Sequence, residues 1–215
     1  YDNRTGDHAG TDVLAPRTVA RLLEALDVDD EDDVLVVGVG VGYTAALLAE
    51  LVGERRVHAV DIARRLVLDA RRNLGQAGYE GVLVDCRDGA DGLPEYAPFD
   101  RILVEAAAVR PPRALIDQLV TDGRLVMPIG TPEQTLVAVE ADDSPEGYSV
   151  REEFGRTTLA PLLVDGEQAG GVTRNRTERE DREFAEQGYF ARTGWERDWI
   201  DWEDRLDGGR GHHRR

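Results

Sequence analysis

An α/β fold built on a doubly wound, mostly parallel sheet in three layers is predicted by three observations. Short apolar runs alternate with helical segments from Val34 onward. The first of these runs enters a turn, Gly38-Val39-Gly40-Val41-Gly42, that opens a helix. The last strands follow one another with no helix between them. Alternation implies parallel strands joined by crossovers of fixed hand, which put helices on both faces of the sheet. Consecutive strands at the end imply an antiparallel edge.

The elements follow in order. Residues Tyr1 to Asp12 are polar and glycine-bearing and read as a loop. Pro16 stands where a helix can begin, and Val19, Leu22, Leu23 and Leu26 recur at three- and four-residue spacing, so Thr18 to Leu26 reads as a helix with one buried face. The acidic run Asp27 to Asp33 ends it. Val34-Leu35-Val36-Val37 is the first core strand, Thr44 to Val52 a helix, and Val57-His58-Ala59-Val60 a second strand ending at Asp61, which completes a βαβ unit. Arg64 to Leu74 reads as a helix, Val82-Leu83-Val84 as the third strand and Arg101-Ile102-Leu103-Val104 as the fourth. Pro111 and Pro112 predict a helix over Ala114 to Val120, followed by a strand at Arg124-Leu125-Val126-Met127. Leu136 to Glu140 and the stretch from Val150 to Val164 read as strands. The composition then changes, which predicts a main domain over residues 1–165 and a charged extension over 166–215. Trp195, Trp199 and Trp202 fall on one face of a predicted helix in that extension, suited to docking on its own domain or to contact with a second copy or a partner.

Charge narrows the function classes. Asp and Glu number 43 against 26 basic residues, a formal net charge of −17, and every one of those cations is arginine. A strongly acidic, lysine-free surface fits a salt-adapted, halophilic cytoplasm, where dense counterions screen self-repulsion. It opposes binding to a phosphate backbone, so no nucleic-acid partner is expected. Cys86 stands alone, which excludes an internal disulfide and a cysteine metal cluster and fits a cytoplasmic location. No apolar run approaches the ~20 residues of a membrane-spanning helix.

The glycine turn carries the chemistry. Gly38 permits a tight turn after the strand, Gly40 lets backbone approach a ligand, and the amides opening the helix can face polar ligand groups. A dinucleotide fingerprint has G-x-G-x-x-G, and Tyr43 occupies the place of its third glycine, so the spacing opposes a nicotinamide cofactor. The G-x-G-x-G form is similar to the first motif of class I methyltransferases, which bind S-adenosylmethionine; a tight turn without a ligand is the plain alternative. Asp61, about twenty residues on, ends the second strand where a carboxylate can accept both ribose hydroxyls of an adenosine cofactor, or cap the next helix. Ile62 follows it. Asp88 and Gly89 follow the third strand, where the Asp can accept from an adenine amino group or hold the turn.

Longer stretches carry a closer likeness. Gly38 to Tyr43, Arg87-Asp88-Gly89-Ala90-Asp91-Gly92, Ala97-Pro98-Phe99-Asp100-Arg101-Ile102, Ala106-Ala107-Ala108 and Gly123-Arg124-Leu125-Val126-Met127-Pro128-Ile129-Gly130 together resemble the protein-L-isoaspartate O-methyltransferases. The likeness runs from Tyr1 to about Val164 and takes in Tyr1-Asp2, Gly10, Ala15-Pro16, Phe154 and Pro161-Leu162. It implies a Rossmann-like methyltransferase fold and S-adenosylmethionine as cofactor. It also implies methyl transfer to isoaspartyl carboxylates in damaged proteins, with a protein or peptide as substrate. Three positions depart from the family pattern. Leu14 stands where a serine near the acceptor carboxylate is usual, Glu105 where threonine or another small residue is usual, and Val36 where an acid is usual. A leucine cannot donate a hydrogen bond, and an ionised glutamate would repel a substrate carboxylate by roughly 1 to 4 kcal/mol at contact. Thr11 and Asp12 supply polar groups close by. These departures leave open a changed acceptor, or a cofactor-binding or interaction protein without catalysis. His8 in the N-terminal loop is a weak candidate base, His58 reads as a packed strand residue, and His212 and His213 as tail; no metal-ligand spacing occurs.

Overall fold

The computed structural model describes residues 7–8, 11–142 and 144–163. By its contacts the chain falls into two units, Tyr1–Asn175 and Arg176–Arg215, and the described residues all lie in the first. The tryptophan face and the tail histidines lie outside the described residues.

A short hairpin, β1 (Asp7–His8) and β2 (Thr11–Asp12), precedes helix α1 (Pro16–Leu26). The loop expected before Asp12 thus contains one antiparallel pairing. Pro16 fits the first turn of α1 because its missing N–H would find no partner there, and Asp27 closes the helix in the left-handed region at φ 54°. The other elements are strand β3 (Val34–Val37), helix α2 (Tyr43–Val52), strand β4 (Val57–Asp61), helix α3 (Arg64–Ala77), strand β5 (Leu83–Cys86), strand β6 (Phe99–Val104), helix α4 (Arg113–Ile116), and strands β7 (Leu119–Ile129), β8 (Gln134–Ala141) and β9 (Tyr148–Thr157).

The seven-stranded sheet has the order β5-β4-β3-β6-β7-β8-β9. Strands β3 to β7 run parallel, and β8 and β9 form the antiparallel edge. Strand β3 lies in the interior of the sheet between β4 and β6, and its four residues are all buried, as expected where both faces of a sheet are covered. Between β3 and β6 the direction of winding reverses, which opens a crevice at the carboxyl ends of those strands.

The two faces are covered differently. Val34, Val36, Ala59, Leu103 and Val126 point to a face packed by α1, α2 and α3 through Leu22, Leu26, Leu48, Val67 and Leu74. The alternate residues Leu35, Val37, Ile102, Leu125 and Met127 point to the other face, covered by Leu93, Leu115 and Ile116 from α4 and the segment before β6.

Two expectations are corrected. The helix expected over Ala114 to Val120 is a single turn ending at Ile116. Buried Gln118 accepts from the Leu93 N–H at 2.8 Å and donates to the Asp91 carbonyl at 2.8 Å, while its own carbonyl accepts from Phe99 N–H. Those bonds draw the chain out of the helix, and Leu119 pairs with Phe99 as the start of β7. Between that pair and Arg101↔Arg124 the register shifts, with Asp122 at φ 64°. The second correction is at the end, where the strand expected up to Val164 stops at Thr157. Beyond it, Ala107 N–H donates to the Ala160 carbonyl and Leu162 N–H to the Ala107 carbonyl, so the segment leaves the sheet edge and returns toward the end of β6.

On the outer strand, Phe154 and Gly155 form a bulge between the pairs Thr135↔Arg156 and Val137↔Glu153. The Arg21 guanidinium, reaching from α1, donates to the carbonyls of Phe154, Gly155 and Arg156 at 2.5, 2.9 and 2.9 Å.

Candidate functional site

The crevice at the carboxyl ends of β3, β4 and β6 widens into a cavity of about 630 Å³. Its floor is the glycine turn. Gly38 N–H and Val39 N–H donate to the Val60 carbonyl, which ties the turn to β4. Gly40 adopts φ +55°, and a Cβ there would meet no atom within 4 Å, so the backbone is bare on the cavity side. Gly42 serves a different purpose. At φ +91° it caps α2, and a Cβ would come 3.2 Å from Leu74 Cγ and 3.4 Å from Ala70. It does not line the cavity; it lets α2 and α3 approach each other. Tyr43 and Thr44, which open α2, do line it.

Asp61 ends β4 beside the turn and is buried. Its Oδ2 accepts from Gly40 N–H at 3.0 Å and its Oδ1 from Ala63 N–H at 2.9 Å. Burial pushes its carboxyl above the usual range, and the two amide bonds pull against that shift. Each carboxylate oxygen has a second lone pair, so the group can still accept two further hydrogen bonds, the number a ribose diol supplies. Ile62 lines the cavity next to it.

Gly89 also lines the cavity, and a Cβ there would come within 2.4 Å of Val37 Cγ1, so only glycine fits. Asp88 is not among the lining residues. Its Oδ1 accepts from Ala90 N–H at 2.8 Å and caps the single 3-10 turn Gly89–Asp91, the turn-holding reading of its position.

Glu105 follows β6. Its backbone N–H donates to the Val37 carbonyl at 2.8 Å, and its Cβ lies 3.7 Å from where a Cβ on Gly38 would stand. Burial raises its carboxyl to about 7, the Thr44 hydroxyl opposes the rise, and the Asp61 charge adds to it. Its Oε1 is sealed from solvent without a hydrogen-bond partner. The repulsion expected from an ionised Glu105 is therefore weakened near neutral pH, where much of the group carries its proton.

Val13 and Leu14, directly after β2, form another wall, and Thr158 to Leu163 close the rim. Of Thr11 and Asp12 the backbone alone is described, in β2 opposite His8 and Asp7. Val36 is buried on the helix-covered face, away from the cavity. Sequence reading did not single out Val13, Thr44, Leu66 or Thr158 to Ala160. Thr158 to Ala160 are gathered by the return of the chain after β9, a long-range event with no local signal, while Val13 follows β2 and Thr44 and Leu66 open α2 and α3 toward the cavity. His58 packs against Tyr96 and Phe99 at ring-centroid distances of 4.9 and 5.6 Å, and burial lowers its pKa, as expected of a packed histidine. Cys86 is exposed, and no cluster of metal-ligating residues occurs among the described residues. None of the described helices is long and apolar enough to cross a membrane.

A bare glycine turn, a carboxylate anchored at the end of the next strand and a cavity at the switch point define a nucleoside-cofactor site in a protein of the doubly wound class. The comparisons narrow this further. Residues 6–165 match the family described as protein-L-isoaspartate(D-aspartate) O-methyltransferase. The chain is 46% identical to the protein-L-isoaspartate O-methyltransferase of Aeropyrum pernix over 156 residues, 72% of this chain and 60% of that one. It is 41% identical to that of Methanococcoides burtonii over 152 residues, 70% of this chain and 74% of that one. A solved protein-L-isoaspartate O-methyltransferase superposes with a TM-score of 0.68 at 27% identity, covering 83% of this chain and 55% of the other. A Plasmodium falciparum structure in complex with S-adenosyl-L-homocysteine shares the fold, with a TM-score of 0.64 at 21% identity over 76% of this chain and 81% of the other. The chain belongs to the protein-L-isoaspartate O-methyltransferase family, whose members are S-adenosylmethionine-dependent protein carboxyl methyltransferases.

Proposed function

We propose that this protein transfers a methyl group from S-adenosylmethionine to the free carboxylate of isoaspartyl residues in damaged proteins or peptides. The family match across residues 6–165 is the observation that carries the reading. The cavity supports it. Gly38 and Gly40 bring bare backbone to the cofactor, Asp61 accepts the ribose hydroxyls, and Tyr43, Ile62 and Gly89 enclose the adenosine. The capped Asp88 holds Gly89 in place. When bound, the cofactor supplies an electrophilic methyl on a sulfonium.

The chain's own contribution is then chiefly positional. An ionised carboxylate is already a nucleophile, so no strong base is required, and the gain comes from alignment inside a water-poor cleft. Leu14 and the rim from Leu159 to Leu163 provide the apolar walls that exclude water from the acceptor side. With leucine at position 14, the acceptor has to be oriented by backbone or neighbouring polar groups.

The test is methyl transfer from labelled S-adenosylmethionine to an isoaspartyl peptide, against the same peptide with normal aspartate, in molar potassium chloride. Label on the isoaspartyl peptide alone is the expected result. Binding of the cofactor without transfer to either peptide would overturn the acceptor assignment.

A further inference from the structure

Two carboxyl groups line the cavity, and among its lining residues there is no lysine, arginine or histidine to balance them. Asp61 is provided for by the amides of Gly40 and Ala63. Glu105 is provided for only in part: the Thr44 hydroxyl hydrogen-bonds the carboxyl, while its Oε1 is out of reach of solvent and lacks a donor. A sealed acceptor of this kind costs about 1 to 3 kcal/mol, and more for a charged group, which marks it as waiting for a ligand donor or a cation. Tyr43 is the other titratable side chain on the cavity wall, and the Thr44 hydroxyl is the polar group acting on Glu105 from α2.

S-adenosylmethionine brings two positive centres, the sulfonium and the α-ammonium of its methionine part. A sulfonium has no N–H or O–H and cannot satisfy an acceptor, whereas an ammonium has three donors. A carboxylate against the sulfonium methyl would, moreover, compete with the acceptor as the nucleophile. We propose that Glu105 binds the α-ammonium of S-adenosylmethionine, fixing the methionine end of the cofactor beside Gly38. This assignment rests on the cofactor reading above and deepens it. It also removes the conflict with a substrate carboxylate, because a Glu105 engaged by an ammonium presents no net charge to the acceptor side.

Proton linkage follows. With its carboxyl near 7, free Glu105 holds about half a proton at pH 7, and an ammonium contact favours the ionised form, so binding expels about that fraction of a proton.

The experiment is calorimetric titration of the full chain at pH 7 in buffers of different ionisation enthalpy. The ligands are S-adenosylhomocysteine, S-adenosylmethionine and the deamino analogue of S-adenosylhomocysteine. The expected result is release of about half a proton on binding S-adenosylhomocysteine to the wild-type chain and none in Glu105→Gln. The variant should bind both natural ligands roughly ten- to a hundredfold more weakly, and the deamino analogue should bind both proteins alike. A variant weakened toward S-adenosylmethionine but not S-adenosylhomocysteine would place Glu105 at the sulfonium and overturn the proposal. So would proton-neutral binding to the wild type, a measurement that does not depend on the variant folding. Failure of the wild type to bind any of the three would overturn the cofactor reading as well, a result distinct from binding that is indifferent to Glu105.

Discussion

Asp61 ends β4 and Glu105 directly follows β6, the strands that flank β3 on opposite sides; both line the same cavity and carry the same functional group, yet the chain treats them in opposite ways. Asp61 is held by two backbone amides, one from the glycine turn and one from the start of α3's lead-in. Glu105 has a buried oxygen with no donor at all. A carboxylate that the backbone anchors is part of the scaffold even before a ligand arrives. One that the backbone leaves unmet has its chemistry decided by what enters. The difference was also a difference in legibility, since the first follows from spacing and the second from three-dimensional sealing.

The contrast is most exposed to disproof at Asp61. Replacing it by alanine leaves the Gly40 and Ala63 amides without their acceptor, and unfolding in urea should show a loss of about 2 to 5 kcal/mol, with cofactor affinity lost as well. A loss under about 1 kcal/mol would show that water replaces the carboxylate and that the anchoring is incidental.

At Glu105 the sign reverses. Its folded pKa, about 7, lies above the ordinary glutamate value of 4.5, so the stability linked to its proton is fully present below that ordinary value and is lost as pH rises through about 7. Glu105→Gln, neutral throughout, should therefore gain on the wild type as pH rises over that window. The gain should level off near ~3 kcal/mol above it, with about 1.36 kcal/mol per unit as the conversion. Denaturation of the ligand-free proteins across roughly pH 4 to 9 reads this directly; a difference independent of pH would mean that Glu105 does not titrate there.

Two glycines separate scaffold from ligand contact more finely. Gly42→Ala, strained at its φ and pressed on Leu74, should cost about 1 to 2 kcal/mol while the folded variant keeps its affinity for S-adenosylhomocysteine. Gly40→Ala, strained at its φ but with no atom near the added Cβ, should cost less than that in stability but weaken the ligand. The smallest effect is expected at Asp88, where alanine removes the cap on the Gly89–Asp91 turn at about 1 kcal/mol, and asparagine, which keeps an acceptor, costs less. Urea unfolding and calorimetric binding of these four variants check the values together.

Most of the fold was readable because its signals are local. The βαβ unit of β3, α2 and β4 announces itself through a four-residue apolar run, alternating glycines and an acid at the expected distance. The helix expected after Pro112 failed for a reason no window contains: Gln118 is satisfied by Leu93 and Asp91, far back in the chain, and pulls Leu119 into the sheet. The site divides in the same way. Gly38, Gly40, Tyr43, Asp61, Ile62 and Gly89 line the cavity, whereas Gly42 and Asp88 lie in the same motifs but serve packing and capping. Leu14 and Glu105 were found as departures from a family pattern, and only burial revealed that the Glu105 carboxyl titrates near neutral pH and is not a fixed negative charge.

The outermost strand has a consequence of its own. An edge strand, with its row of unpaired backbone groups, invites extended polypeptide to add to it. On β9 the bulge at Phe154 and Gly155 breaks the regular ladder, and one arginine from α1 already occupies three successive carbonyls. Along that stretch a stray strand finds carbonyl acceptors already taken, which blunts the edge against unwanted pairing.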